Sequence, residues 1–184
     1  MDEKTIDISL VIPLLNEEES LQELYSRIVS VVNAENLNYE IIFVDDGSTD
    51  SSVAVIDELI NHDSCVKLIE FRTNYGKSAA LAAGFEAASG TFVFTMDADL
   101  QDDPEEIPNM LAKLNEGYDL ISGWKKVRHD PLEKRLASKV YNYFTSKVSG
   151  IKLHDFNCGL KAYRLPVVKS MKVYGEFHRY LPVI

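Results

Sequence analysis

Short apolar runs alternate with segments of helical periodicity along the first two-thirds of the chain, and this alternation most constrains the fold. Five runs rich in β-branched or aromatic residues predict strands. Strands that alternate with helices form βαβ units and a mostly parallel sheet, whose buried strands are continuously apolar as these are. We therefore predict an α/β fold. The predicted strands are 6–12, 39–44, 66–71, 91–96 and 118–122.

Clusters of polar residues follow four of these predicted strands. In an open parallel sheet, ligands bind beyond the carboxyl ends of the strands. Because those ends share one edge of the sheet, four separate segments are expected to converge on one site. The clusters are 13–17, 45–50, 72–77 and 97–103.

Composition limits the classes of protein that this chain can belong to. Its 184 residues fit one domain, and no apolar run is long enough to cross a bilayer. The acidic N-terminus predicts that there is no signal peptide. Two cysteines, Cys65 and Cys158, provide no disulfide framework and predict a reducing, cytoplasmic setting. A net charge of −10 argues against general nucleic-acid binding.

The charge is divided unevenly between the two parts of the chain. Residues 1–124 hold 6 basic and 25 acidic side chains, whereas residues 125–184 hold 13 basic and 4 acidic ones. Within 125–152, apolar residues recur at helical spacing among lysines and arginines, which predicts a basic amphipathic helix. A surface helix packed on the core and a helix that contacts an anionic membrane surface both fit this pattern.

The sequence Asp97-Ala98-Asp99, at the end of the fourth predicted strand, is a candidate cation site. Hard divalent cations prefer oxygen ligands, and Mg²⁺ or Mn²⁺ commonly shares them with substrate phosphates. Gln101 adds a neutral oxygen. The alternative is that this acidic segment only caps the next helix, through Asp102 or Asp103.

Two further segments carry candidate binding residues. The acidic turn that begins with Asp45 and Asp46 can accept hydrogen bonds from a nucleobase or a ribose, or it can simply cap a helix. Lys77 follows Gly76, but Phe71 stands where a P-loop requires glycine, so we reject a P-loop. Lys77 is then either a point charge for a phosphate or a solvated lysine.

Together these motifs resemble the family 2 glycosyltransferases of GT-A fold, a Rossmann-like architecture. They are most similar to the branch that loads a sugar onto polyprenyl phosphate, such as the dolichyl-phosphate mannose or glucose synthases. The resemblance covers the chain from about Ile8 onward, and it depends on the joint order of the motifs. These are VIPLLNEEES (11–20), VDDGSTD (44–50), NYGKSAALAAGF (74–85), MDADLQDDP (96–104), SGWKKVRHD (122–130) and DFNCGLKAYR (155–164).

The resemblance implies a site for a nucleotide sugar and a metal ion. Leu15 stands where the family usually has an aromatic residue, so we expect weaker stacking on the base. Lys125 replaces a family arginine and lacks its bidentate fork. The implied metal ligands for Mg²⁺ or Mn²⁺ are Asp97, Asp99 and Gln101. The residues assigned to the nucleotide sugar are Pro13, Leu15, Glu17, Asp45, Asp46, Lys77, Asp97, Ala98 and Lys125.

The resemblance also implies the reaction and its acceptor. A polyprenyl phosphate attacks C1 of the sugar with inversion at the cytoplasmic membrane face, and Asp99 takes part in catalysis through the metal. Asp155 is the candidate general base, or alternatively pairs with Lys161 or Arg164. The acceptor phosphate is assigned to Arg128, Lys134, Arg135 and Ser138.

Domain organisation follows from the same comparison. We expect one catalytic domain over 1–184, with a nucleotide-sugar part in 1–124 and an acceptor part in 125–184. Members of that branch commonly continue into transmembrane helices, so we expect the chain to be the catalytic part of a longer membrane protein. A homo-oligomer remains an open alternative.

Three other functions compete with this interpretation. The nearest is a family 2 transferase acting on a soluble or polysaccharide acceptor, which the basic stretch disfavours. A haloacid-dehalogenase-type phosphatase also uses Asp-x-Asp, but on its first strand, whereas here the pair follows the fourth. A non-catalytic nucleotide-binding module would bind the nucleotide without turnover.

Overall fold

The computed structural model describes residues 5–124 and 158–173, together with Lys147, Gly175, Leu181 and Val183. Six strands in this part of the chain form one sheet in the order β3-β2-β1-β4-β6-β5. Strands β1 to β4 are parallel, and β6 lies antiparallel between β4 and β5. The predicted α/β class with a mostly parallel sheet is therefore confirmed. The strands are β1 Ile8–Leu14, β2 Tyr39–Asp45, β3 Val66–Glu70, β4 Phe92–Thr95, β5 Leu120–Ser122 and β6 Lys161–Arg164.

Helices cover both faces of the sheet. Helices α1, α2 and α4 pack on one face, and α3 and α5 pack on the other. A short 3-10 helix, Pro104–Glu106, precedes α4, and Asp103 caps it by accepting a hydrogen bond from the backbone N–H of Glu105 at 3.1 Å. The helices are α1 Leu21–Ala34, α2 Ser52–His62, α3 Lys77–Ala87, α4 Ile107–Asn115 and α5 Leu165–Ser170.

Strand β2 explains why the apolar runs are continuous. Ile41 and Phe43 pack toward α1 and α2, whereas Ile42 and Val44 pack toward α3, and all four are fully buried. Complete burial of such side chains stabilises the fold by about 1.5–3 kcal/mol each. Because successive side chains point to opposite faces, residues 45 and 46 leave the end of this strand on opposite sides of the sheet.

Strand β1 continues two residues beyond its predicted end and includes Pro13. A proline removes one ladder donor, which disfavours it inside a sheet. Strand β4 pairs with β1 only as far as Val11. Pro13 therefore has no partner residue on β4, and the N–H that proline lacks leaves no gap in that ladder. The chain then turns at Asn16, whose φ is 57°, and α1 begins at Leu21.

Strand β6 was not predicted, because its two ends are charged. Lys161 and Arg164 flank the buried residues Ala162 and Tyr163, which leaves no continuous apolar run. Beside it, the backbone N–H of Gly123 donates to the carbonyl of Leu160 at 2.9 Å, so the ends of the chain segment that joins β5 to β6 lie side by side.

The predicted basic helix at 125–152 lies outside the described residues, apart from Lys147. Among the helices that the structure does describe, none combines the length and the apolar character needed to cross a membrane.

Candidate active site

A pocket of about 350 Å³ opens at the carboxyl edge of the sheet, and all four polar clusters contribute to it. The convergence predicted from the sequence is therefore confirmed. The start of α3 forms one wall, and the loops after β1, β2 and β4 form the others. The lining residues are Pro13, Leu14, Leu15, Glu17, Asp46, Asn74, Gly76, Lys77, Ala80, Asp97, Ala98 and Asp99.

Asp46 joins the loop after β2 to the start of α3. Its Oδ1 accepts a hydrogen bond from the backbone N–H of Tyr75 at 2.7 Å, and its Oδ2 accepts one from Gly76 at 2.9 Å. The side chain is buried, and Gly76 adopts a φ of 91°, a conformation that favours glycine. Asp46 thus lines the pocket and also fixes the backbone from which Lys77 projects.

Asp45 lies outside the pocket lining and is almost completely buried. Its Oδ2 accepts hydrogen bonds from the backbone N–H groups of Gly47 at 3.1 Å and Ser48 at 2.9 Å, which closes the turn. Its Oδ1 is buried and has no hydrogen-bond partner within the described part of the chain. A buried acceptor without a partner is destabilising, typically by about 1–3 kcal/mol.

Side chains tie the loop after β1 to the loop after β2. The backbone N–H of Asn16 donates to Ser48 Oγ at 2.8 Å, and Asn16 Oδ1 accepts from the backbone N–H of Thr49 at 2.8 Å. The backbone N–H of Glu17 donates to Ser52 Oγ at 2.9 Å. These bonds hold Leu15 and Glu17, the two pocket residues of this loop, against the β2 side of the site.

Asp50 and Glu18 extend the same contact between loops. Asp50 Oδ2 accepts from the backbone N–H of Glu18 at 3.2 Å, and Glu18 Oε2 accepts from that of Ser51 at 2.7 Å. Partial desolvation raises the pKa of Asp50, but the hydrogen bonds from Ser52 and Glu18 outweigh it, so the pKa is lowered overall. Asp50 also accepts from the backbone N–H of Ser52 at 3.0 Å, as expected for a residue that caps α2.

Asp97 is held from three directions. Its Oδ1 forms an ion pair with the ammonium of Lys77. Its backbone N–H donates to Asp102 Oδ2 at 3.0 Å, and its carboxylate packs against the backbone of Gly159. Gly159 is itself fixed, because its carbonyl accepts from Thr95 Oγ1 at 2.8 Å. The backbone of Asp97 is thus bonded to Asp102, and its carboxylate lies between Lys77 and Gly159.

Asp99 is exposed and lies on a tight turn. Its Oδ1 accepts from the backbone N–H of Gln101 at 3.1 Å, and Leu100 between them has a φ of 61°. Such a conformation costs a non-glycine residue about 1–3 kcal/mol and recurs at functional sites. It presents Asp99 to the pocket, whereas Gln101 does not line it.

The charges that line the pocket are unbalanced. Within the described part of the lining, four carboxylates, from Glu17, Asp46, Asp97 and Asp99, accompany one ammonium, that of Lys77. No group of three or more histidine, cysteine, aspartate or glutamate residues suited to a metal occurs in the described segments. Asp97 and Asp99 would supply only part of the coordination shell of a Mg²⁺ ion. The other positions would be taken by water and by oxygens of a phosphate substrate, as is usual for Mg²⁺ in proteins.

The structure thus brings together most of the predicted donor-site residues. Asp45 and Gln101 are described but do not line the pocket. The residues that line it as predicted are Pro13, Leu15, Glu17, Asp46, Lys77, Asp97, Ala98 and Asp99. The predicted residues outside the described part of the chain are Lys125, Arg128, Lys134, Arg135, Ser138 and Asp155.

Some lining residues were not predicted individually. Asn74 and Gly76 flank Lys77 in the polar cluster after β3, so their position in that cluster was the available signal. Leu14 and Ala80 are apolar residues within regular elements, and their sequence pattern indicates only burial. Gly159 lies far along the chain from Asp97, and no local pattern links the two.

A family model described as "Glycosyl transferase family 2" matches residues 9–171. The chain belongs to this family. The matched range contains the whole pocket described above.

Two curated proteins are similar to this family 2 chain over nearly its whole length. A dodecaprenyl-phosphate galacturonate synthase of Rhizobium johnstonii is 37% identical over 182 residues, which cover 97% of this chain and 54% of that protein. An undecaprenyl-phosphate 4-deoxy-4-formamido-L-arabinose transferase of Shewanella sediminis is 40% identical over 178 residues, which cover 96% of this chain and 54% of that protein. The chain thus spans about half the length of these relatives.

Solved structures share the fold at lower identity. Glucosyl-3-phosphoglycerate synthase from Mycobacterium tuberculosis, in complex with Mn²⁺ and UDP-glucose, superposes with a TM-score of 0.73 at 21% identity, over 96% of this chain and 63% of that one. The mannosyltransferase PcManGT from Pyrobaculum calidifontis, in complex with GDP-mannose and Mn²⁺, gives 0.68 at 20% identity, over 94% and 48%. These likenesses establish the GT-A fold of the family 2 chain.

Proposed function

We propose that this family 2 glycosyltransferase moves a sugar from a UDP- or GDP-sugar to a polyprenyl phosphate, with inversion and with Mg²⁺ or Mn²⁺. The supporting observation is that Glu17, Asp46, Lys77, Asp97 and Asp99 share one pocket at the carboxyl edge of the sheet. The two similar curated proteins, both named for a polyprenyl phosphate and a sugar, support the choice of acceptor.

The nucleoside of the donor occupies the β1 side of the pocket. Pro13 and Leu15 offer it an apolar surface, and Leu15 is 40% exposed, so its side chain is accessible to a base. Glu17 accepts hydrogen bonds from donor groups of the nucleoside. The nucleotide role of Asp45 stays a prediction, because its carboxylate closes the turn after β2 and lies outside the pocket lining.

Asp97 and Asp99 fit a hard divalent cation, because both present carboxylate oxygens to the same pocket. Gln101 follows on the same turn and is retained as the third predicted ligand. When bound, Mg²⁺ or Mn²⁺ supplies Lewis-acid stabilisation of the charge that develops on the departing diphosphate. Lys77 lies beside Asp97, within the same region of negative charge.

The acceptor phosphate binds to the basic part of the chain at the cytoplasmic face of a membrane. We assign Lys125 to the donor diphosphate and Arg128, Lys134, Arg135 and Ser138 to the acceptor phosphate. The excess of basic residues after residue 124 supports this assignment, because anionic lipid surfaces attract such segments.

Transfer is a single displacement. An oxygen of the acceptor phosphate forms a bond to C1 of the sugar, while the bond from C1 to the diphosphate oxygen breaks and that oxygen keeps the electron pair. The acceptor oxygen is already ionised near neutral pH, so no proton has to be removed. Asp155 stays the predicted candidate for a general base, with pairing to Lys161 or Arg164 as the alternative.

The first test is a thermal-shift screen of UDP- and GDP-sugars with and without Mn²⁺. We expect a nucleotide sugar to raise the melting temperature only when Mn²⁺ is present, and Asp99→Ala to abolish this increase. Stabilisation that survives Asp99→Ala would contradict the metal assignment.

The second test is transfer of radiolabel from the donor to a polyprenyl phosphate, followed by lipid extraction. Label in the lipid fraction supports the proposal. Label on a soluble saccharide, or nucleotide binding without any transfer, would replace it with one of the competing functions.

A further inference from the structure

The ion pair between Lys77 and Asp97 lies within the pocket rather than beside it. Both residues line the pocket, and their side chains are 38% and 26% exposed, so solvent and small ligands can reach the pair. Among the lining residues that the structure describes, Lys77 is the one cationic residue. The Lys77 ammonium therefore contacts Asp97 Oδ1, a carboxylate oxygen that a divalent cation would also bind.

The two partners differ in their freedom to move. The backbone N–H of Asp97 is bonded to Asp102, and its carboxylate lies close to the backbone of Gly159, so this short side chain has less freedom to move than the lysine. The backbone of Lys77 is fixed at the start of α3 through the bonds that Asp46 makes to residues 75 and 76. The lysine side chain beyond Cα is a flexible four-carbon stem that ends in a compact charge. Any exchange at Asp97 must therefore occur through movement of the lysine.

We propose that Lys77 exchanges partners during the binding cycle. Its ammonium occupies Asp97 Oδ1 in the empty site and turns to the donor diphosphate in the loaded site. This inference rests on the proposed function, and it makes Lys77 a residue that couples metal binding to donor binding. A cation at Asp97 releases the lysine, and the released lysine favours the diphosphate.

Lys77→Met tests this coupling, because the two binding steps should respond in opposite directions. With Mn²⁺ alone, measured by electron paramagnetic resonance of the free ion, the variant should bind about threefold more tightly, since a competing, partly exposed ion pair is removed. With saturating Mn²⁺, calorimetry should give UDP or GDP binding that is about tenfold weaker, since a charge-assisted contact is lost. Lys77→Arg should keep both affinities near wild type.

Lys113→Met is the matched control, because it removes the same charge from an exposed lysine that pairs with Glu116 on the surface. It should change neither affinity. Mn²⁺ binding to Lys77→Met that is equal to or weaker than in wild type, or too weak to measure in both, would overturn the exchange. If wild type binds neither UDP nor GDP with Mn²⁺ present, the proposed function fails instead.

Discussion

Gly159 supports the carboxylate of Asp97 through its bare backbone: a Cβ built on this glycine would lie 2.4 Å from Asp97 Cγ. The same Cβ would lie 2.6 Å from Asp102 Oδ2. Both distances are far shorter than any relaxed contact. Gly159, which precedes β6 and is distant along the chain, thus lies against a residue that follows β4.

Gly159→Ala should impair metal-dependent donor binding more than it impairs folding. The new methyl group displaces the Asp97 carboxylate, so we expect at least ~10-fold weaker binding of a UDP- or GDP-sugar with Mn²⁺ and about 1–3 kcal/mol lower free energy of unfolding. Calorimetry and urea denaturation measure the two effects.

Gly84→Ala is the control for this substitution, because its Cβ would lie 2.2 Å from Val11 Cγ1 in the core between α3 and β1. It should lower stability by a similar amount and leave the donor affinity of the folded protein unchanged. Equal donor affinity in the two variants would contradict the role of Gly159.

Asp46→Asn should destabilise the junction between β2 and α3. An amide has one acceptor oxygen, so either Tyr75 or Gly76 loses the hydrogen bond to its backbone N–H. We expect the free energy of unfolding to fall by about 1–3 kcal/mol, measured by urea denaturation. Asp57→Asn, on an exposed face of α2, should have almost no effect. Equal stability of the two variants would show that Asp46 does not brace the start of α3.

Substitutions at Asn16 should separate backbone strain from side-chain bonding. Asn16→Ala loses the bond to Thr49 and places a side chain at a φ of 57°, whereas Asn16→Gly loses only the bond. We expect losses of about 2 and about 1 kcal/mol in unfolding free energy. Both should weaken donor binding, because one of the bonds that hold Leu15 and Glu17 in place is lost. If Asn16→Ala is as stable as Asn16→Gly, the strain is absent.

Glu40 should make the protein sensitive to acid. It is buried near the start of β2, where its carboxylate accepts from Ser9 Oγ at 2.5 Å and from the backbone N–H of Ser89 at 2.8 Å, and pairs with Lys67 Nζ at 2.6 Å. Desolvation raises its pKa, but these partners outweigh it and lower the pKa below the ordinary 4.5.

Because the folded-state pKa of Glu40 is lowered, its contribution to stability is complete above the unfolded pKa. It is lost as pH falls through the folded value. Urea denaturation between about pH 3 and pH 7 should therefore show that the free energy of unfolding falls more steeply with decreasing pH for wild type than for Glu40→Gln. Exposed Glu58→Gln should retain the wild-type slope. Parallel profiles for wild type and Glu40→Gln would exclude this carboxylate as the source.

The location of the site could be predicted from the sequence because its signals are local. Asp46 and Asp99 each follow an apolar run, and parallel strands bring their carboxyl ends to one edge. Burial of both sheet faces makes those runs continuous, so the strand ends are easy to recognise. The two aspartates accordingly line the same pocket.

The division of roles within the site could not be predicted. Asp45 and Asp46 are adjacent in sequence, but successive side chains along β2 point to opposite faces of the sheet. Asp45 is therefore buried in the turn after β2, whereas Asp46 lines the pocket. The contact of Gly159 with Asp97 depends on the antiparallel pairing of β6 with β4. Strand β6 was not predicted, because both of its ends are charged. Such contacts arise only from the tertiary arrangement of strands.

The hydrogen bond from Gly123 to Leu160 has a further consequence for the segment 125–157, which joins β5 to β6. The described residues on either side of it, Gly123 and Leu160, are held on adjacent strands, and Leu160 is next to the glycine that supports Asp97. The pairing of β5 with β6 therefore bears the entropic cost of bringing these two distant residues together, before any donor or acceptor binds.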